Sequence, residues 1–472
     1  MDTTELCFLP AVTLRDLYRA RALSPVEVVD AVLDRIDRLN PVLNAYLTVT
    51  ADRAREEARA SEARWRRGDP RGPLDGLPYS VKDLEETAGV RTTFGSKWFE
   101  HYVPERDGVV AERLKEAGGI LLGKTNTPHF GHKDSCDNLL GPPCRNPWRL
   151  DRTPGGSSGG AGAAVAAGLG PLAHGSDGAG SIRIPAALCG VVGMKPSFGR
   201  VPSHPNPDYW AARSHHGPLA RTVRDAALLL AVLAGPDPRD PLSIDAPPED
   251  YVAACDGPVE GLRVAWSRDL GSAAVDPEVA EIAERAALRF QELGCHVDSP
   301  PIRWPESRAF HQVLWEVGVA SRHVDRARER PEWIEPSLMR MLLNAGAMSA
   351  LEHGRALLAR TGFYVAVREF FERYDLLLTP QMPLAAWSVV PGDEPREIGG
   401  RPAPTMYDRL AFTYPFNLTG QPAVSVPCGM TQEGLPVGLQ IVGRWHADSL
   451  VLRAAAAFEA LQPWAHLRPP VG

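Results

Sequence analysis

The sequence predicts an α/β layered fold, and three observations carry that prediction. Helical and short apolar segments alternate from about residue 76 to 233. A second strand–helix–strand series follows over 262–297. Alternation of this kind builds a sheet with helices against its faces. Pro and Gly are spread along the chain, with no low-complexity linker and no internal repeat, so one compact domain over 1–472 is expected. Of the 472 residues 44% are hydrophobic, enough for a large core.

In chain order, 1–70 reads as N-terminal helices. Ser24-Pro25-Val26-Glu27 supplies a cap, a proline at the first helical position and a glutamate to close a capping box. Val26, Val29, Val32, Leu33, Ile36 and Leu39 recur at helical spacing. Asn40-Pro41 is expected to end that helix. The Arg- and Glu-rich stretch 51–67 reads as a helix with a solvated face. A catalytic core is expected over 75–260. Within it, 77–81 is apolar with proline at its start, as in an edge strand. Residues 109–117 read as a helix stopped by Gly118-Gly119, and 120–122 as a buried strand. About 300–372 reads as a helical lid or insert holding Phe310, Trp315, Trp333, Met339 and Met341, whose ordinary role is packing. The last part, 375–472, completes the same domain with a strand at 376–379, a hairpin around Glu433-Gly434 and a closing helix.

Bulk properties exclude several function classes. The net charge of −7 gives no phosphate-binding surface, so no nucleic-acid partner is expected. The N-terminus lacks a basic start with an apolar run, and no stretch nears the ~20 apolar residues of a membrane span. Seven widely spaced cysteines without a CxxC fit reduced thiols in the cytoplasm rather than a disulfide framework. His129, His132, Asp134 and Cys136 show no recognised metal spacing. His215 and His216 are adjacent and ill placed to share an ion, so they read as pocket-rim or framework residues. No metal and no organic cofactor is expected.

The most informative stretch is 153–196. Ser157-Ser158 opens an Ala-rich run with good helix propensity, stopped by Gly168 and Gly170, and 171–175 can return as a strand. A helix of ~11 residues spans about 16 Å, and five strand residues span about 17 Å. The chain goes out and comes back, so Ser181 can end near Ser157. Gly178-Ala179-Gly180-Ser181 is nearly free of side chains, and successive amides in such a turn can converge on one oxygen. A tetrahedral oxyanion requires that. Serine needs a base. Lys82 is the candidate, and Asp83, pointing to the opposite face of its strand, should not hold it in its charged form. A lysine desolvated by apolar neighbours can be neutral. Ser157 could then carry the proton. Spacing alone does not single out Lys82 among the lysines.

GGSSGG at 155–160 and SDGAGSIRIPA at 176–186 resemble the amidase signature family. VKD at 81–83, GKTNTP at 123–128, NPW at 146–148 and GPLARTVRDAA at 217–227 fit it too. So do NLTGQPAVSVPCG at 417–429 and GLPVGLQIVG at 434–443. The resemblance implies an α/β/α fold around a central mixed sheet and a Ser–cis-Ser–Lys triad. Carried over, Ser181 is the nucleophile, Ser157 the bridge after a cis Gly156–Ser157 bond, and Lys82 the base. The amides of Gly178, Ala179, Gly180 and Ser181 form the oxyanion hole, and Gly131 borders the substrate. Asp177 and Arg183 match framework positions.

The implied activity is a serine amidohydrolase that cleaves an amide, anilide or carbamate (urethane) through an acyl-enzyme on Ser181. Aryl acylamidases, urethanase-like enzymes and cyclic-amide hydrolases are the members it most resembles. The expected partner is a small-molecule amide or carbamate, and the expected state a cytoplasmic monomer or homodimer. The alternative within the family is the amidase component of a tRNA amidotransferase complex. Those components carry a serine-rich SLDQ-like run where this chain has Arg213-Ser214-His215-His216. Tyr209-Trp210 and the aromatic lid favour an apolar or aryl substrate. Two positions depart from the family: Ala179 stands where glycine is usual, and Ser176 where threonine is frequent. An unrelated alternative is an α/β-hydrolase esterase with Ser158 as nucleophile, since 156–160 satisfies G-x-S-x-G. That motif needs a preceding strand, and 146–154 makes a poor one.

Overall fold

The computed structural model describes residues 2–211 and 213–471. Its strands are β1 (Tyr46–Val49), β2 (Pro78–Lys82), β3 (Ile120–Thr125), β4 (Leu172–Asp177), β5 (Val192–Lys195), β6 (His215–Ala220), β7 (Arg263–Trp266), β8 (His296–Asp298), β9 (Leu376–Pro380), β10 (Glu397–Ile398), β11 (Arg401–Pro402), β12 (Ala423–Met430) and β13 (Pro436–Gly443). Eleven of them form one sheet in the order β1-β3-β2-β4-β6-β5-β12-β13-β9-β7-β8. The sheet is mixed: β2 runs parallel to β3 and β4, whereas β4–β6 and β12–β13 are antiparallel. Helices cover it, so the layered α/β expectation holds.

Local chemistry explains the flanking elements. The helix Pro25–Leu43 starts at the predicted capping box, with Ser24 Oγ accepting from the Val26 amide at 3.0 Å and Glu27 accepting from the Ser24 amide at 2.8 Å. It does not stop at Asn40-Pro41. Pro41 lies inside its last turn, where one lost hydrogen bond is tolerable, and left-handed Asn44 (φ 49°) ends the helix. Asn40 instead clamps the chain exit by pairing with the backbone of Tyr46 at 2.8 and 3.1 Å. The strand at 77–81, expected at an edge, is interior, with every residue buried. Pro78 is its first residue, and its missing N–H costs no ladder bond.

The helix Gly159–Ala166 is built only of Gly, Ala and Val, and every residue is buried. Such small side chains let it lie close against β2, β4 and the helix Arg183–Cys189. Helices Arg308–Glu329, Pro336–Gly346 and Ala350–Arg373 form the expected helical segment after residue 300. Phe310, Phe363, Phe370 and Phe371 pack a second core beneath them. Among the described residues, no helix is long and apolar enough to cross a membrane.

Candidate active site

Parallel neighbours β2 and β4 end side by side, with Lys82 closing one and Asp177 the other. Ligand sites in α/β sheets form at such carboxyl ends. Lys82 is fully buried. Its Nζ donates to Ser157 Oγ at 2.7 Å, Ser176 Oγ at 3.1 Å and the Ser176 carbonyl at 3.2 Å. Burial pushes its pKa down to about 7, with Cys136 and Asp177 pulling the other way. Asp83 faces elsewhere, as its strand position implies, and accepts from the Thr93 amide at 2.9 Å. Ser176, one of the two departures from the family pattern, thus keeps a hydroxyl on Lys82.

The Gly156–Ser157 bond is cis. The Ser158 amide donates to the Ser181 carbonyl at 3.1 Å, which ties the two serine segments together as the helix-and-return geometry predicts. Ser157 and Ser181 open on one cavity of about 210 Å³, with Gly131, Gly178, Phe130 and Trp315 in its wall. That wall is shared with a wider hollow of about 880 Å³ lined by Phe94, Phe99, Phe130 and His323. The rings of Phe130 and His323 stack at 3.8 Å.

The turn before Ser181 is held from below. Asp177 and Arg183, both fully buried, pair through two contacts of 3.0 Å. Arg183 also donates to Gln440 and Asn417 at 2.7 Å, and Asn417 donates back to Asp177 at 2.8 Å. Burial alone would raise the Asp177 carboxyl, but Arg183 overrides it and holds it well below the usual range. This carboxylate also accepts from the Gly180 amide at 2.7 Å. The Gly180 N–H, expected among four oxyanion donors, is thus already taken by Asp177.

Ala179 brings no left-handed strain, because the positive φ of the turn falls on Gly180 (124°). The Ala179 carbonyl accepts from Thr413 Oγ1 at 2.5 Å. A Cβ on Gly180 would lie 2.5 Å from Thr413 Cβ, and one on Gly178 would lie 2.9 Å from Trp315. Gly180→Ala must therefore displace the turn or Thr413. It is expected to lower kcat by about 10²–10³, the scale of one misplaced oxyanion donor. Steady-state rates with a melting curve for the same sample check this.

Other candidates fall away. Ser158 is fully buried, its Oγ donates to the Ser176 carbonyl at 3.2 Å, and no strand precedes it. The elbow geometry of an α/β-hydrolase is absent there. His129, His132, Asp134 and Cys136 do not converge: His132 bonds the His129 carbonyl and Ser337, while Asp134 takes the Arg409 guanidinium at 2.7 Å. Sequence reasoning placed Trp315 in the lid but missed Thr413, which lies far along the chain and acts only by tertiary contact.

The amidase family model matches residues 27–452. The chain is 41% identical to an acylamidase of Rhodococcus erythropolis, over 99% of this chain and 98% of that one. It is 40% identical to a glutamyl-tRNA(Gln) amidotransferase component of Moorella thermoacetica, over 99% of each. A bacterial aryl acylamidase of the amidase signature family superposes with a TM-score of 0.91 at 33% identity, covering 97% of both chains. The buried lysine, the serine pair and the glycine turn thus sit in a chain that matches along its whole length, and the protein belongs to the amidase signature family as an amide-bond hydrolase.

Proposed function

We propose that the chain hydrolyses small amides carrying an aryl or other apolar group, as a serine amidohydrolase with Ser181, Ser157 and Lys82 in sequence. The observation that carries this reading is the 2.7 Å contact of buried Lys82 with Ser157, at the base of the cavity on which Ser181 opens. Burial supplies a neutral amine near neutral pH, which is what a base requires. Ser181 Oγ attacks the carbonyl and its proton passes through Ser157 to Lys82. The oxyanion rests on the amides of Gly178, Ala179 and Ser181, beside Gly131. Lys82 returns the proton through Ser157 to the departing nitrogen, and water then cleaves the ester on Ser181.

The hollow lined by Phe94, Phe99 and Phe130 supports an aryl-bearing substrate, in line with the acylamidase relatives. We read 1–472 as one catalytic domain. The test is a panel of anilides, primary amides, carbamates, cyclic amides and esters offered to the purified chain and to Ser181→Ala. The chain alone should turn over anilides, and the variant should lose at least ~10⁴-fold in kcat. Full turnover by Ser181→Ala would remove the assignment. The amidotransferase relatives favour a second reading, a component that releases ammonia from glutamine within a complex. Anilide turnover by the isolated chain, with glutamine untouched, would dismiss it.

A further inference from the structure

Glu85, His174 and His216 come together beside the catalytic pocket. His174 lies on β4 and His216 on the antiparallel neighbour β6, where the register sets His174 opposite Pro218 and His216 opposite Ser176. The two histidines are therefore diagonal neighbours on one face of the sheet. Glu85 arrives from the turn after β2, where its amide bonds the Lys82 carbonyl at 3.1 Å. One ligand atom from each of the three lies within 4.8 Å of the others. Glu85 and His174 are buried, and the His216 side chain is 11% exposed. All three line the cavity shared by Ser157 and Ser181, so the cluster is reachable from that side.

The donor set is two imidazoles and a carboxylate, a combination that binds zinc and its neighbours among the divalent ions. His174 Nε2 and His216 Nδ1 stand 3.0 Å apart, and His216 Nδ1 lies 3.9 Å from Glu85 Oε2. Ligand atoms bound at ~2.0–2.1 Å in a tetrahedral site are roughly 3.3 Å apart, so the spacings bracket the requirement. The outer partner is also in place. His216 Nε2 lies 3.2 Å from Ser203 Oγ and can donate its hydrogen there; Nδ1 then accepts from His174 Nε2–H at 3.0 Å, and both nitrogens turn lone pairs to an ion once His174 takes its other tautomer. Two further polar atoms of the cluster, His174 Nδ1 and Glu85 Oε1, are buried without a hydrogen-bond partner.

We propose that Glu85, His174 and His216 form a three-ligand site for a borderline divalent cation such as Zn²⁺, with its open coordination position facing the catalytic cavity. The ligands come from three segments whose order in the chain gives no metal-binding spacing, and only the strand register unites them.

Cobalt(II) titration of the intact chain tests this directly. Four-coordinate Co²⁺ held by nitrogen and oxygen should give visible d–d bands that saturate at one ion per chain. His174→Asn and Glu85→Gln should each weaken binding by about tenfold or more. Glu85→Gln keeps the side-chain shape and stands as the test if His174→Asn does not fold. Acetohydroxamate, small enough for the cavity, should shift the bands by entering the open position. Absence of saturable binding, wild-type affinity in both variants, or an intense thiolate band from the cysteines would overturn the site. Bands indifferent to acetohydroxamate would overturn its opening onto the cavity.

Discussion

Lys82→Met is expected to abolish turnover while removing one pH-dependent component of stability. The loss in kcat should be on the order of 10⁴–10⁶, as for other nucleophile–base units that act together. In the wild-type chain, kcat/KM should rise about tenfold per pH unit below about 7 and level off above it, because the free base is the active form. The neighbouring titratable groups differ. Burial and then the Lys82 charge hold His216 down to about 4, and His174 lies well below its usual value. Burial raises the Glu85 carboxyl above the ordinary carboxylate range. The stability arm has a definite sign. Between about 7 and the ordinary lysine value near 10.4, the unfolded chain binds a proton that the folded chain does not. Stability must then rise with pH by up to ~1.4 kcal/mol per unit from this group. Below that window the slope vanishes, and the methionine variant lacks it altogether. Urea unfolding at several pH values, wild type minus variant, isolates that slope from the other buried groups. Equal slopes would mean that Lys82 is charged in the folded protein.

That test matters because Lys82 was the least legible member of the site. Three lysines are fully buried: Lys82, Lys124 and Lys195. Each sits in or at the end of an apolar strand, so local sequence treats them alike. Their partners separate them. Lys124 donates to Thr87 and Thr92 at 2.9 Å, and Lys195 to the Pro196 carbonyl at 3.0 Å, whereas Lys82 meets the serines at the cavity. Such partners are set by strand order, and β2 lies between β3 and β4 through crossovers no local pattern encodes. The closeness of Ser157 and Ser181 was legible because a short helix and a short strand connect them. The engagement of the Gly180 amide was not, since a Gly-Ala-Gly turn reads the same whether its N–H groups face a substrate or a carboxylate beneath. Asn40-Pro41 failed as a helix stop for a related reason, because Asn40 found its partners at Tyr46 and the helix ran one turn further.

The second large effect is expected from the carboxylate beneath the turn. Arg183→Met leaves Asp177 buried with its main counter-charge removed, and Asp177→Asn leaves Arg183 in the same position. Breaking such a pair from one side costs about 3–5 kcal/mol, far more than a surface ion pair is worth. The double variant should recover part of that loss, because neither charge is then stranded, and a double-mutant cycle in urea measures the coupling. Activity should not recover with it. Asp177 fixes the Gly180 amide at 2.7 Å and the Ile182 amide at 3.2 Å, so its carboxylate sets the shape of the turn that presents the amides of Gly178, Ala179 and Ser181. Asparagine keeps one acceptor oxygen but cannot serve both amides and the guanidinium. The double variant is therefore expected to fold better than Arg183→Met yet acylate some 10²–10³ times more slowly than wild type. If it acylates at the wild-type rate, the ion pair supports only the fold, and the oxyanion turn holds its shape through Thr413 and the cavity wall instead.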